Sequence, residues 1–312
     1  MSLPFFIPSY HRADRLASLS YLKKRNQPPG EVYVFIDDEG GDEEEYRRTC
    51  RRYGANLVVF NQQESRDGYD YVHRPSKSRR SGGQARNMMW KYAVANGIEQ
   101  YVVIDDDSKS DTWRPFGMSL GKYSRMSPAQ FQRIVDSVAA MQRRHRLGIF
   151  GLSQNGEMFY SKKRIEQNVL RKKVMNFSFY LTSLVHGGER GVQDNDTSQF
   201  VTAMQRGLLC ASFATGLTLN QCLSATQPGG LTDLYKECHL LNKALVTVIQ
   251  NPSAIRAVKR KDIGGRVHHH VDYRYLMPKI LRVKEGNNIA WDTYPEDVPF
   301  TNIPNRKWEY VE

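Results

Sequence analysis

Tyr101-Val102-Val103-Ile104-Asp105-Asp106-Asp107-Ser108 sets four β-branched or aromatic residues directly before three carboxylates. A short apolar run without alternation suits a strand buried on both faces of a parallel sheet. Three carboxylates crowded at its end repel one another unless a cation neutralises them. Open α/β sheets bind ligands at the carboxyl ends of their strands. Oxygen ligands suit Mg2+ or Mn2+, which typically use one or two carboxylates and fill the other positions with water and substrate phosphates. A solvated acidic turn is the plainer alternative, and the apolar run ahead of the cluster argues against it.

Upstream, Phe5-Phe6-Ile7, Val32–Ile36 and Leu57–Phe60 are similar short runs. Leu16, Leu19 and Leu22, then Tyr46, Cys50 and Tyr53, recur at helical spacing, as do Ala85, Met88, Met89, Tyr92 and Ala93 before a stop at Gly97. Strand and helix alternate from the first residues, so a Rossmann-like sheet is expected over about the first hundred. Downstream, Ser127-Pro128 starts another helix with Phe131, Ile134, Val135, Val138 and Met141 as its stripe. Leu147–Leu152 reads as a strand. Met175, Phe177, Phe179 and Leu181 alternate with Asn176, Ser178, Tyr180 and Thr182, predicting a half-buried antiparallel strand. A helix is expected over 233–250, then a basic stretch from Arg256 to Arg266, and a tail from Glu285 that wraps the surface.

The 312 residues are 40% hydrophobic and 25% charged, which fits a folded domain with an ordinary core. No run reaches the roughly 18 apolar residues of a membrane span, and the first residues read as a strand, not a signal peptide. Cys50, Cys210, Cys222 and Cys238 have no Cys-x-x-Cys spacing and read as reduced, buried thiols in a cytoplasmic protein. Lys and Arg exceed Asp and Glu by 45 to 33, a net charge of +12. That field concentrates polyanions and nucleotides near the surface.

Several other segments can carry chemistry. Arg79-Arg80-Ser81-Gly82-Gly83-Gln84-Ala85-Arg86-Asn87 opens the helix before the acidic strand, where glycines and free helix N–H groups suit a phosphate. Arg86 can add a bidentate contact. Pro8-Ser9-Tyr10-His11-Arg12 ends the first strand and Asp37-Asp38 the second, the two edges that would border a base and ribose.

In this order, Pro-Ser-Tyr-x-Arg, Ile-Asp-Asp, Gly-Gly-x-Ala-Arg-Asn and a strand ending in Asp-x-Asp, the chain resembles GT-A glycosyltransferases. The resemblance covers the first 110 residues well and the next 100 loosely. It implies an α/β fold, a Rossmann-like mixed sheet flanked by helices, with a C-terminal extension. The implied layout is a catalytic domain over 1–230 (nucleotide-binding half 1–110, acceptor half 111–230), with 231–312 packing on the active site. It also implies that Pro8, Ser9, Tyr10, Arg12, Asp37, Asp38, Gly83, Arg86, Asn87, Asp105 and Asp106 bind the nucleotide sugar. Asp105 and Asp107, with His268 and His270 from His268-His269-His270, would hold Mn2+ or Mg2+. Asp194 and Asp196, in Gly191-Val192-Gln193-Asp194-Asn195-Asp196, stand where the family carries its catalytic carboxylate, though without its usual Glu-Asp pair.

Among such enzymes the chain is most similar to phage-type, TET/JBP-associated enzymes acting on hydroxymethylated pyrimidines. That implies a UDP-sugar donor, double-stranded DNA carrying 5-hydroxymethylcytosine or a related base as acceptor, and the cytoplasm of a bacterial host if phage-encoded. Arg79, Arg80, Lys162, Lys163, Arg171 and Lys172, with aromatics interleaved nearby, are the candidate DNA contacts. The competing readings are a cytosolic GT-A enzyme with a saccharide, lipid-linked or protein acceptor, a nucleotidyltransferase, and a DNA-binding protein without catalysis.

Overall fold

The computed structural model describes residues 3–71, 80–113, 126–154, 173–185, 189–191, 193–221, 240–260, 266–273, 276, 281–283 and 308–310. Alternation of side chains along its strands builds a sheet with a core on each face. In β1 (Phe5–Pro8), Phe5 and Ile7 enter one core and Phe6 the other. In β4 (Gln100–Ile104), Val102 and Ile104 separate from Tyr101 and Val103 in the same way.

The first half follows the expected alternation. β1 leads through α1 (Ala17–Lys24) to β2 (Val32–Asp37), and α2 (Glu43–Tyr53) leads to β3 (Asn56–Phe60). The short α3 (Gln62–Arg66) and then α4 (Gly82–Ala95) precede β4. These four strands are parallel, in the order β3-β2-β1-β4. The direction of winding reverses beside β1, the kind of switch point at which open sheets take ligands.

Beyond β4 the sheet becomes mixed. After β5 (Ser108–Trp113) come α5 (Pro128–His145), β6 (Ile149–Gln154), β7 (Phe177–Leu181), α6 (Asn195–Gln205) and β8 (Ala211–Gln221). The eight strands run β3-β2-β1-β4-β7-β6-β8-β5, with β7 antiparallel to both neighbours. This is the mixed α/β sheet flanked by helices expected from the sequence. The start of α5 is also as read: Ser127 and Gln130 form a capping box, with Pro128 in the first turn.

One expectation changes. β7 was read as half-buried, yet all five of its residues are buried. The cause is α6, which covers the second face: Tyr180 donates to Gln199 Oε1 at 2.8 Å and stacks on Tyr101 at 5.3 Å. Within the strand the polar positions Ser178 and Tyr180 are therefore satisfied buried groups and do not face solvent. Past β8, α7 (Leu240–Gln250) packs on the hairpin of β9 (Ile255–Arg260) and β10 (Arg266–Val271). A two-stranded pair, β11 (Leu281–Val283) and β12 (Trp308–Tyr310), completes the described elements. The first part of the helix expected over 233–250, and most of the tail, lie outside the described residues. No helix among those described is long and apolar enough to cross a membrane.

Candidate functional site

A cavity of about 370 Å³ opens at the carboxyl ends of β1, β2 and β4, within the size range of small-molecule sites. Pro8, Ser9, Tyr10, Arg12, Asp37 and Arg80 line its β1–β2 side, and Arg86 with Asp105–Asp107 its centre. Lys173, Glu189, Asp194 and Asp196 line the side beneath α6. The strand-end carboxylates and the carboxylates of the later motif thus share one space.

The three aspartates have different surroundings. Asp106 turns back toward the β1 loop, where Ser9 donates to Oδ2 and Arg12 to Oδ1, both at 2.8 Å. Tyr46 supports that loop through Ser9 Oγ and the Arg12 N–H. Burial raises the Asp106 carboxyl above its ordinary value, against the pull of Arg12 and Ser9. Asp105 accepts from Arg86 at 2.9 Å. Asp107 is buried, and its Oδ1 has no hydrogen-bond partner. Burial, then the charges of Asp105 and Asp106, push its carboxyl up to about 7. A buried, unpartnered carboxylate oxygen beside a second carboxylate is the donor chemistry of a hard divalent cation. Among the described residues no group of three or more His, Cys, Asp or Glu side chains is arranged to hold a metal. Asp105 and Asp107 offer carboxylate oxygens of that kind, and a cation held there would need substrate phosphates and water to complete its shell.

Arg86 also faces Glu189, at 3.8 Å. Burial opposes its charge, but Glu189 and Asp105 outweigh that and hold the guanidinium firmly protonated. Glu189 is completely enclosed, neither carboxylate oxygen has a hydrogen-bond partner, and burial pushes its carboxyl up to about 8. Asn87 fixes this segment: its amide donates to the Glu189 carbonyl at 3.0 Å and accepts from the Glu189 N–H at 2.9 Å. Asn87 does not line the cavity, and neither does Gly83. A Cβ on Gly83 would stand 2.4 Å from Tyr69 Oη and 2.8 Å from Asn195 Nδ2, so that glycine permits close contact between segments. Gly82 is the one that borders the cavity.

Asp37 and Asp38 also diverge. Asp37 holds Arg80 at 3.2 and 3.3 Å, and the Arg80 guanidinium lies over the Tyr10 ring at 4.7 Å. Asp38 instead accepts from the Gln62 N–H and the Asn61 amide, shaping the turn into α3 away from the cavity. Arg80, read as a DNA contact, thus faces the cavity and two acidic partners, Asp37 and Glu39. Arg79, Lys162, Lys163, Arg171 and Lys172 lie outside the described residues.

Asp194 occupies the N-cap position of α6 with φ 53, and its side chain does not cap the helix. It lies 3.1 Å from His269 Nδ1. Asp196, in the first turn, pairs with Lys173 at 2.6 Å. His268 bonds the His269 carbonyl and His270 is exposed; neither borders the cavity. Glu189 was not singled out from the sequence, and His269 was noted only as a member of the histidine triplet, a candidate for metal and not for contact with Asp194. For Glu189 the available signal was a charged Glu189-Arg190 pair following Gly187-Gly188.

The sequence model of the TET-associated glycosyltransferases matches residues 3–227. No curated protein matches the chain. Among solved structures it is similar to glucosyl-3-phosphoglycerate synthase from Mycobacterium tuberculosis. The complex with Mn2+, UDP and glucosyl-3-phosphoglycerate is 12% identical, with 86% of each chain covered and a TM-score of 0.44. The Mg2+ and UDP complex gives 12%, 86% of each chain and 0.44. A further structure of that synthase gives 10%, 86% of each chain and 0.46.

Proposed function

The chain belongs to the TET-associated glycosyltransferase family, and from that premise we propose that it moves a sugar from a UDP-sugar to the hydroxyl of 5-hydroxymethylcytosine, or a related modified base, in DNA. The observation that carries the donor half is the unpartnered, buried Asp107 Oδ1 beside Asp105 in the strand-end cavity. Asp105 and Asp107 would hold Mn2+ or Mg2+, which when bound stabilises the departing diphosphate. Arg86 adds a fixed positive charge at the helix N-terminus, and Tyr10 with Arg80 offers a flat, cationic surface for a base.

Asp194 is the proposed base. The acceptor oxygen forms a bond to the anomeric carbon, the bond from that carbon to the diphosphate oxygen breaks with its electrons leaving on the diphosphate, and Asp194 takes the hydroxyl proton. Asp196, tied to Lys173, is the weaker candidate. The DNA acceptor is supported by the family and by the net charge of +12. The base would leave the duplex to enter the cavity, at a cost of a few kcal/mol. In this reading 1–110 bind the nucleotide, 111–230 the acceptor, and 231–312 close over the site.

Two experiments test it. Calorimetry with UDP should show binding that needs Mn2+ or Mg2+, and D107N should weaken it by at least about a hundredfold; equal affinity with and without metal sinks the donor site. Incubation of hydroxymethylcytosine DNA with a panel of sugar nucleotides should give a hexose-sized mass gain on the nucleoside. No gain with any donor sinks the acceptor.

A further inference from the structure

Among the described histidines, the one nearest the proposed base comes from outside the family-matched residues 3–227, on β10. The His269 side chain is 8% exposed and that of Asp194 4%, and the pair sits at hydrogen-bond distance, 3.1 Å, without hydrogen-bond alignment. Catalytic hydrogen bonds are often poorly aligned before substrate binds. On its other side, His269 Nε2 lies 3.4 Å from Thr197 Oγ1, which accepts from Lys173 Nζ at 2.8 Å.

Two groups bias the roles along this row. An ammonium can only donate, so the Thr197 oxygen accepts from Lys173 and its own proton is available to His269 Nε2, while an ionised Asp194 carboxylate, which can only accept, favours a proton on the Nδ1 that faces it. A neutral imidazole that accepts at Nε2 carries its proton on Nδ1, the atom facing Asp194. The backbone of Asp194 points the same way. A usual N-cap is extended and spends its side chain on helix N–H groups, whereas Asp194 is left-handed and turns its carboxylate from the helix toward β10. Strain of this kind collects where surrounding structure demands a particular side-chain direction.

We propose that His269 is the positioning residue for Asp194: its Nδ1–H, set by Lys173 and Thr197, holds the carboxylate toward the acceptor hydroxyl. This rests on the reading of Asp194 as the base. The C-terminal hairpin thereby completes the acceptor side of the site.

The first measurement needs neither donor nor acceptor. Nitrogen-15 NMR of the full chain, about two units above the ordinary imidazole value, should show the His269 ring protonated on Nδ1. T197V should lose that preference. A ring protonated on Nε2 overturns the proposal. Kinetics with UDP-glucose, Mn2+ and hydroxymethylcytosine duplex should show kcat down at least about tenfold in H269A, with donor KM nearly unchanged. H269N, whose side-chain nitrogen replaces Nδ1, should recover most of the loss and H269Q should not; equal kcat in H269A and wild type overturns the proposal.

Calorimetry of UDP with Mn2+ should be the same for H269A and wild type; weakened binding would assign His269 to the donor and overturns the proposal. H269A should cost nothing further in a D194N background, and an additive loss counts against it. D194N with near-normal turnover removes the base itself, an outcome separate from the tautomer result.

Discussion

Arg86 stands between two carboxylates of different character. Asp105 meets it at 2.9 Å in the cavity, whereas Glu189 is enclosed at 3.8 Å with neither oxygen hydrogen-bonded. Burial, partly opposed by Arg86, moves the Glu189 carboxyl from 4.5 to about 8. An acid raised in the fold contributes stability that is fully present below its ordinary value and is lost as pH rises through the folded value. Between about pH 4.5 and 8 the wild type should therefore lose stability relative to E189Q, by roughly 5 kcal/mol at about 1.4 kcal/mol per unit. Chemical denaturation across that window checks this, and parallel profiles for the two proteins would show that Glu189 does not titrate in the fold.

At the scale of elements, the start of α4 shows how one glycine joins two halves of the site. Ser81 and Gln84 form the capping box, and the Ser81 hydroxyl and Tyr69 both reach the Gly191 carbonyl at 2.9 Å. G83A would push a methyl into Tyr69 Oη and Asn195 Nδ2. We expect a loss of about 1–3 kcal/mol, with weaker UDP binding because α4 also carries Arg86; an unchanged unfolding midpoint would refute it.

The parallel strands were legible because each is a short apolar run between turns, and Asp105 and Asp107 because they directly follow one. β5, Ser-Lys-Ser-Asp-Thr-Trp, was not, since a polar edge strand carries no hydrophobic pattern. Nor did sequence reveal that Gly83 serves contact between segments, or that His269 meets Asp194. Such meetings depend on contacts far apart in the chain, 72 positions in the case of His269 and Thr197. The histidine triplet was visible as a motif, but strand alternation alone did not tell which face turns inward.

For the whole molecule, the charge of +12 sets the expected behaviour toward DNA. If about four phosphates are neutralised, affinity for a hydroxymethylcytosine duplex should fall by roughly a hundredfold between about 50 and 200 mM salt. A flat salt dependence in a binding titration would argue for a neutral acceptor instead. Stability is also a property of the whole chain, and the left-handed backbone at Asp194 bears on it. Glycine adopts that conformation without the penalty a side chain brings, so D194G should unfold at a somewhat higher temperature while losing transfer. In a mutant library, heat challenge alone would enrich glycine at position 194, and a screen for product would remove it. Opposite enrichment under the two regimes would mark the position as one where endurance and turnover compete for the same residue.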